Sequence, residues 1–148
     1  VECGWGLIDP QTRKIINPYD LVTNENILMT DWELQDFAVQ VIRNYLTEKL
    51  NFKIQSSQSN PLVYPSIWFK EQKQEACVIV NFGRYGYELP QLPKDTDKII
   101  ESFSQNTHKV YFGSVLFYHP NQKDTEDILP LYRGHETGIK FSELKLLN

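Results

Sequence analysis

Ala76-Cys77-Val78-Ile79-Val80-Asn81-Phe82 is a strand-length run that is apolar on both of its alternating faces. A strand with one wet face alternates apolar and polar residues, whereas one that is greasy on both sides is covered on both sides. This run therefore belongs near the middle of a sheet, and the neighbouring segments can be placed around it. Downstream, Ile99, Ile100 and Phe103 recur at helical spacing in a helix predicted over Asp95–Gln105, with Asp95 or Thr96 capping. A second doubly apolar strand is then predicted over Lys109–His119. A strand–helix–strand unit asks for a right-handed parallel crossover. Upstream, the predicted strand Ser66–Lys70 is joined to the central run by the short polar stretch Glu71–Gln74, which suits a hairpin and antiparallel pairing. Asn51–Gln55 alternates polar and apolar residues as a half-buried strand does.

The helix expected ahead of these strands runs from Asp31 to about Lys49. Thr30 and Glu33 have the spacing of a capping box, in which each side chain satisfies a backbone N–H at the helix start. Met29 and Leu34 are placed for a hydrophobic staple. Leu34, Phe37, Ala38, Val41, Ile42, Tyr45 and Leu46 form one apolar stripe, and Gln35, Gln40, Arg43, Asn44 and Glu48 are read as the opposite, solvated face. The sum is an α+β fold: a mixed sheet of four or more strands with helices packed on it, in the order α-β-β-β-α-β. A small C-terminal strand pair is expected from Leu129–Tyr132 and Thr137–Phe141, turning at Gly134, followed by a short helix or tail over 142–147. One domain over 1–148 is expected, with an irregular N-terminal arm (1–29), a core (30–119) and a C-terminal addition (120–148). Within the arm, Leu7, Ile8, Ile15 and Ile16 suit a short hairpin around Asp9–Lys14; the alternative is an arm that simply lies across the domain.

Composition limits the function classes. At 148 residues and 41% hydrophobic, the chain can bury a real core and is too apolar for a disordered tail. No apolar run approaches the ~20 residues of a membrane span, so no membrane role is expected. The net charge of −4 and the scattered lysines argue against a general nucleic-acid binder, which needs a concentrated basic surface. A protein partner is favoured over nucleic acid. Two cysteines and three separated histidines suggest no zinc site. Cys77 reads as a reduced core residue, and a bridge to Cys3 stays open. With no leader peptide visible, cytoplasm is the expected location. No cofactor is expected.

The polar constellations are few. Arg84-Tyr85-Gly86-Tyr87 follows the central strand, where strand-end loops often carry binding groups, so Arg84, Tyr85 and Tyr87 are binding candidates. In Arg133-Gly134-His135-Glu136, Arg133 could clamp an anion and His135 could move a proton; the alternative is an exposed turn made possible by Gly134. His108 and His119 lie near opposite ends of one strand and cannot share a metal without other help; each reads as a boundary residue. Asp124, Glu126 and Asp127 read as a solvated acidic loop.

Over residues 30–119 this order resembles the core of the restriction-endonuclease-like fold, the PD-(D/E)xK nuclease superfamily. Active members place an acid at the start of the second core strand, often after Pro, and a Glu/Asp-x-Lys on the third. The acids hold Mg²⁺, which activates water. Here Pro65 is followed by Ser66, and Cys77–Asn81 holds neither acid nor lysine. Glu71-Gln72-Lys73 matches by letters but falls in the predicted hairpin tip. The resemblance thus implies the fold without its metal site, with no catalytic and no metal residue assigned. Pro65–Phe69 and Pro130–His135 are also similar to segments of small bacterial proteins. The expected function is a non-catalytic binding or interaction module, accessory or immunity-like. The alternatives are a nuclease with displaced ligands (Glu71, Lys73, Glu75 or a helix acid) and an unrelated enzyme built on Arg133 and His135.

Overall fold

The computed structural model describes residues 6–18, 23–85, 90–105, 108–124, 127–141 and 143–148. A six-stranded mixed sheet is built from β3 (Lys53–Ser57), β4 (Ile67–Glu71), β5 (Gln74–Arg84), β6 (Lys109–Tyr118), β7 (Gly138–Lys140) and β8 (Lys145–Leu146). The strand order is β3-β4-β5-β6-β7, with β8 also on β6. β5 pairs antiparallel with β4 and parallel with β6, as its doubly apolar pattern and the intervening helix α2 (Thr96–Gln105) require. Its central residues, Ala76 to Val80, have no exposed surface.

Alternation along the strands divides the core into two layers. Ile67 and Phe69 of β4, Val78 and Val80 of β5, and Val115 and Phe117 of β6 face helix α1 (Asp31–Asn44), where they meet Leu34, Ala38, Val39 and Ile42. Cys77, Ile79 and Val110 face the other way, toward Ile99, Ile100 and Phe103 of α2. Trp68 closes that layer, its ring edge-on to Phe103 at 4.9 Å. Cys77 is a free, buried thiol, pushed up to about 12 by burial; Cys3 lies outside the described residues.

Helix α1 starts as its sequence dictates. Thr30 Oγ1 accepts from the Glu33 N–H at 3.3 Å, and the Glu33 carboxylate accepts from the Thr30 N–H at 3.4 Å. After Asn44 the helix widens into a π-helical turn over Tyr45–Lys49. At α2 neither expected cap forms: Asp95 has a positive φ of 65°, and the Thr96 hydroxyl turns back to donate to the Pro93 carbonyl at 2.9 Å.

Gln35 departs from its expected place. It lies on the buried face of α1 rather than the solvated one. It stands in line with Val39, Ile42 and Leu46 at spacings of four, three and four, so it points into the sheet with them. The C-terminal segment departs as well. It supplies two short strands, but they pair with β6 and not with each other: β7 along Leu116–Tyr118 and β8 along Tyr111–Phe112. Leu129–Tyr132 is not a strand of the sheet; its end pairs back to the stretch before α1, through a Leu28–Tyr132 bridge. The polar turn at Gly134 (φ 76°) forms as expected. The edge strand β3 carries a bulge between Ile54 and Ser56. The arm forms its hairpin, β1 (Leu7–Ile8) against β2 (Ile15–Ile16). Among the described residues no helix is long and apolar enough to cross a membrane.

Candidate functional site

The carboxyl ends of the parallel pair β5 and β6 lie together, since Arg84 pairs with Phe117 in register. Ligand sites in such sheets favour this end, where loops leave the strands and walls are contributed by several elements. Two of the residues singled out from sequence sit there. Arg84, the last residue of β5, donates to Asp31 Oδ1 at 2.7 Å and lies 5.6 Å from the centre of the Phe82 ring. Tyr85 is fixed by its N–H, which donates to the Phe117 carbonyl at 2.8 Å, and by its hydroxyl, which donates to Asp124 Oδ1 at 2.6 Å. That bond holds the phenol above its ordinary pKa, because ionisation would set two negative charges together.

Arg84 and Tyr85 form the polar rim of a cleft of about 270 Å³ whose lining is mostly apolar, with Leu28, Met29, Phe117, Ile128 and Leu131 among its walls. One wall is a backbone ladder: the Met29 N–H donates to the Leu131 carbonyl at 3.0 Å and the Arg133 N–H to the Ile27 carbonyl at 2.7 Å. Leu28 (59%) and Ile128 (48%) stay exposed, as does Trp32 (55%) in the first turn of α1. Neither Leu28 nor Ile128 was marked by sequence reasoning. Each sits in a stretch with no period, and only the tertiary pairing of Ile27–Met29 with Leu131–Arg133 brings them to one place.

The other candidates go elsewhere. Arg133 does clamp an anion, but an internal one. Its Nε and Nη2 donate to the two carboxylate oxygens of Glu33 at 2.8 and 2.6 Å, fastening the C-terminal segment to the cap of α1. The bonds from Arg133 hold Glu33 down at about 2, against the opposing effect of burial. His135 is exposed, its ring edge-on to Tyr132 at 5.5 Å, and it is not part of the cleft lining. Tyr87 lies outside the described residues.

Where β4 begins beneath α1, the core is filled by uncharged side chains. Ser66 and Gln35 are fully buried there. Gln35 Nε2 donates to the Val80 carbonyl at 3.1 Å and to Ser66 Oγ at 3.4 Å, while its Oε1 has no partner among the described residues. Val78 and Val80 supply the strand beside them. Glu71 and Glu75 do not converge. Glu71 is on the α1 side of the sheet, accepting from Lys109 Nζ at 3.0 Å and Tyr111 Oη at 2.8 Å, so it is more than the solvated turn residue expected. Partial burial pushes its carboxyl up, but these two bonds outweigh it and hold it below its ordinary value. Glu75, four residues on and across a turn, faces the α2 side and lies 3.0 Å from His108 Nε2. Among the described residues no three His, Cys, Asp or Glu side chains are grouped to hold a metal ion.

A family model described as a domain of unknown function (DUF8840) matches residues 32–147. No curated protein and no solved structure matches the chain.

Proposed function

The chain belongs to the DUF8840 family of domains of unknown function, and from its own geometry we propose that it is a non-catalytic protein-binding module on a restriction-endonuclease-like core. It docks its partner in the cleft at the carboxyl ends of β5 and β6. The observation that carries this reading is the state of that cleft: its walls are apolar and open, while its rim groups are already satisfied internally, Arg84 by Asp31 and Tyr85 by Asp124. A reactive site keeps polar groups free to meet substrate; a docking site keeps them paired and offers apolar surface to an anchor side chain.

The nuclease-like part of the reading is supported by the order α1-β3-β4-β5-α2-β6 with its parallel β5–β6 pair. Its non-catalytic part is supported by Gln35, Ser66 and Val80 standing where carboxylates would be needed, and by Glu71 and Glu75 facing opposite sides of the sheet. The partner is a protein segment with an aliphatic or aromatic anchor beside lysine or arginine. Asp127 directly precedes Ile128 of the cleft wall and Asp124 accepts from the rim residue Tyr85, an acidic setting that disfavours nucleic acid. An accessory or immunity-like role suits such a module.

A displayed library of linear peptides tests this. Selection on the wild-type chain should enrich anchor-plus-basic peptides that Leu28→Asp/Ile128→Asp fails to bind. Enriched peptides indifferent to both substitutions would overturn the cleft as the docking site. In calorimetry, Mg²⁺ and Mn²⁺ should give no saturable heat; saturable binding together with nuclease activity lost in Glu71→Ala or Glu75→Ala would overturn the non-catalytic reading.

A further inference from the structure

The hairpin Leu7–Ile16 of the N-terminal arm is well formed but uncovered. Its two strands pair Leu7 with Ile16 and Ile8 with Ile15. The connecting turn is closed by Asp9, whose carboxylate accepts from the N–H groups of Gln11 (2.8 Å) and Thr12 (3.1 Å) and whose backbone N–H donates to the Lys14 carbonyl at 2.9 Å. Yet Leu7 and Ile8 are each 58% exposed and Ile15 is 81% exposed, and none of the strand residues joins either core cluster. A two-stranded ribbon with both faces in water is marginal by itself; it persists when a further surface covers it.

Resting on the docking reading above, we propose that the occupant of the cleft is the arm of a second copy of this chain, given and received reciprocally. Within one chain the arm and the cleft stand open together, each lacking what the other offers. Their charges are complementary. Within the hairpin Leu7–Ile16, Arg13-Lys14 stand directly before Ile15 against one acid, Asp9, whose carboxylate is taken up by the turn. The cleft presents Asp127 directly before Ile128, with Asp124 nearby on the same segment. Ile15 and Ile8 supply the aliphatic anchors, and Arg13 and Lys14 meet the acidic segment. Because each copy carries both an arm and a cleft, the exchange closes on itself about a twofold axis and stops at two copies.

Sedimentation equilibrium of the full chain across the micromolar range tests the exchange. The wild type should show a monomer–dimer equilibrium. Ile8→Asp/Ile15→Asp and, separately, Leu28→Asp/Ile128→Asp should each weaken it by about a hundredfold, the loss expected when central anchors are removed. All four residues are largely exposed, so circular dichroism should be unchanged. A mixture of the arm variant and the cleft variant should dimerise although neither does alone, since one intact arm then meets one intact cleft. Raised salt should weaken the wild-type dimer. A wild type that stays monomeric, an arm variant that dimerises normally, or a mixture that fails to pair would overturn the proposal. If cleft-dependent peptides still bind in that case, only the second copy is the wrong occupant; if they also fail, the docking reading falls with it.

Discussion

The two ends of the parallel strand pair are built on opposite principles. At the amino ends of β5 and β6, a broad depression of about 570 Å³ is lined by Lys70, Glu71, Lys73, Glu75, His108 and Lys109. There Glu71 ties the β4–β5 hairpin to β6 through Lys109 and Tyr111, and Glu75 ties β5 to His108. At the carboxyl ends the rim groups Arg84 and Tyr85 are also paired, with Asp31 and Asp124, and the floor beside them is apolar. The first end spends its polar groups on joining strands. The second spends them on joining segments distant in sequence, the end of β5 to α1 and Tyr85 to Asp124, and leaves greasy surface in water. At the amino ends Glu71, Lys109, Glu75 and His108 are already paired with one another.

That contrast can be broken most directly by binding. Leu28→Asp/Ile128→Asp should weaken cleft-selected peptides by about a hundredfold, equivalent to roughly 2.7 kcal/mol, with melting nearly unchanged. Glu71→Ala should leave the same peptides bound, as fluorescence anisotropy would show. Its cost should appear in stability instead. Removing the acceptor leaves the half-buried Tyr111 hydroxyl and Lys109 amine without a partner, a loss of about 2 kcal/mol in urea unfolding. Equal effects of both changes on binding would erase the distinction between the ends.

A smaller effect separates them by pH. Glu33 is held at about 2 by Arg133, below the usual carboxylate range. A carboxylate whose pKa is depressed in the folded state stabilises above its unfolded pKa, and that contribution is lost as pH falls through the folded one. Unfolding midpoints should therefore drop progressively from the usual carboxylate range down to about pH 2. Arg133→Gln should remove part of that slope, modestly, because Arg133 is half exposed and water screens the pair. The smallest expected change lies at the amino end. Lys53 stands directly opposite Lys70 across β3 and β4, so Lys53→Glu should raise stability by about 0.5 kcal/mol, converting a like-charge pair to an opposite one.

Most of the sheet was legible because its signals are local. The doubly apolar run at Val78 and Val80, the polar turn at Gln72-Lys73 and the Thr30–Glu33 cap each declare themselves within a few residues. Gln35 was misplaced because residue polarity was weighed ahead of position; its spacing to Val39 and Ile42 held the correct answer. The pairing of β7 and β8 with β6 was not legible, since strands of three and two residues carry no period to read. The candidate cleft was half legible. Arg84 and Tyr85 follow from strand-end logic, and the true role of Arg133 needed its contact with Glu33, 100 residues away.

The borders of the sheet bear on how this protein behaves when concentrated. On one side, the outermost strand β3 is kinked by its bulge at Gln55 and headed by a lysine; on the other, β7 and β8 tile the flank of β6 in two short pieces. Neither border offers a long flat ladder onto which another molecule's backbone could zip. Fibre growth by strand addition is therefore blocked at both margins, and crowding should yield small closed assemblies rather than extended amyloid-like threads.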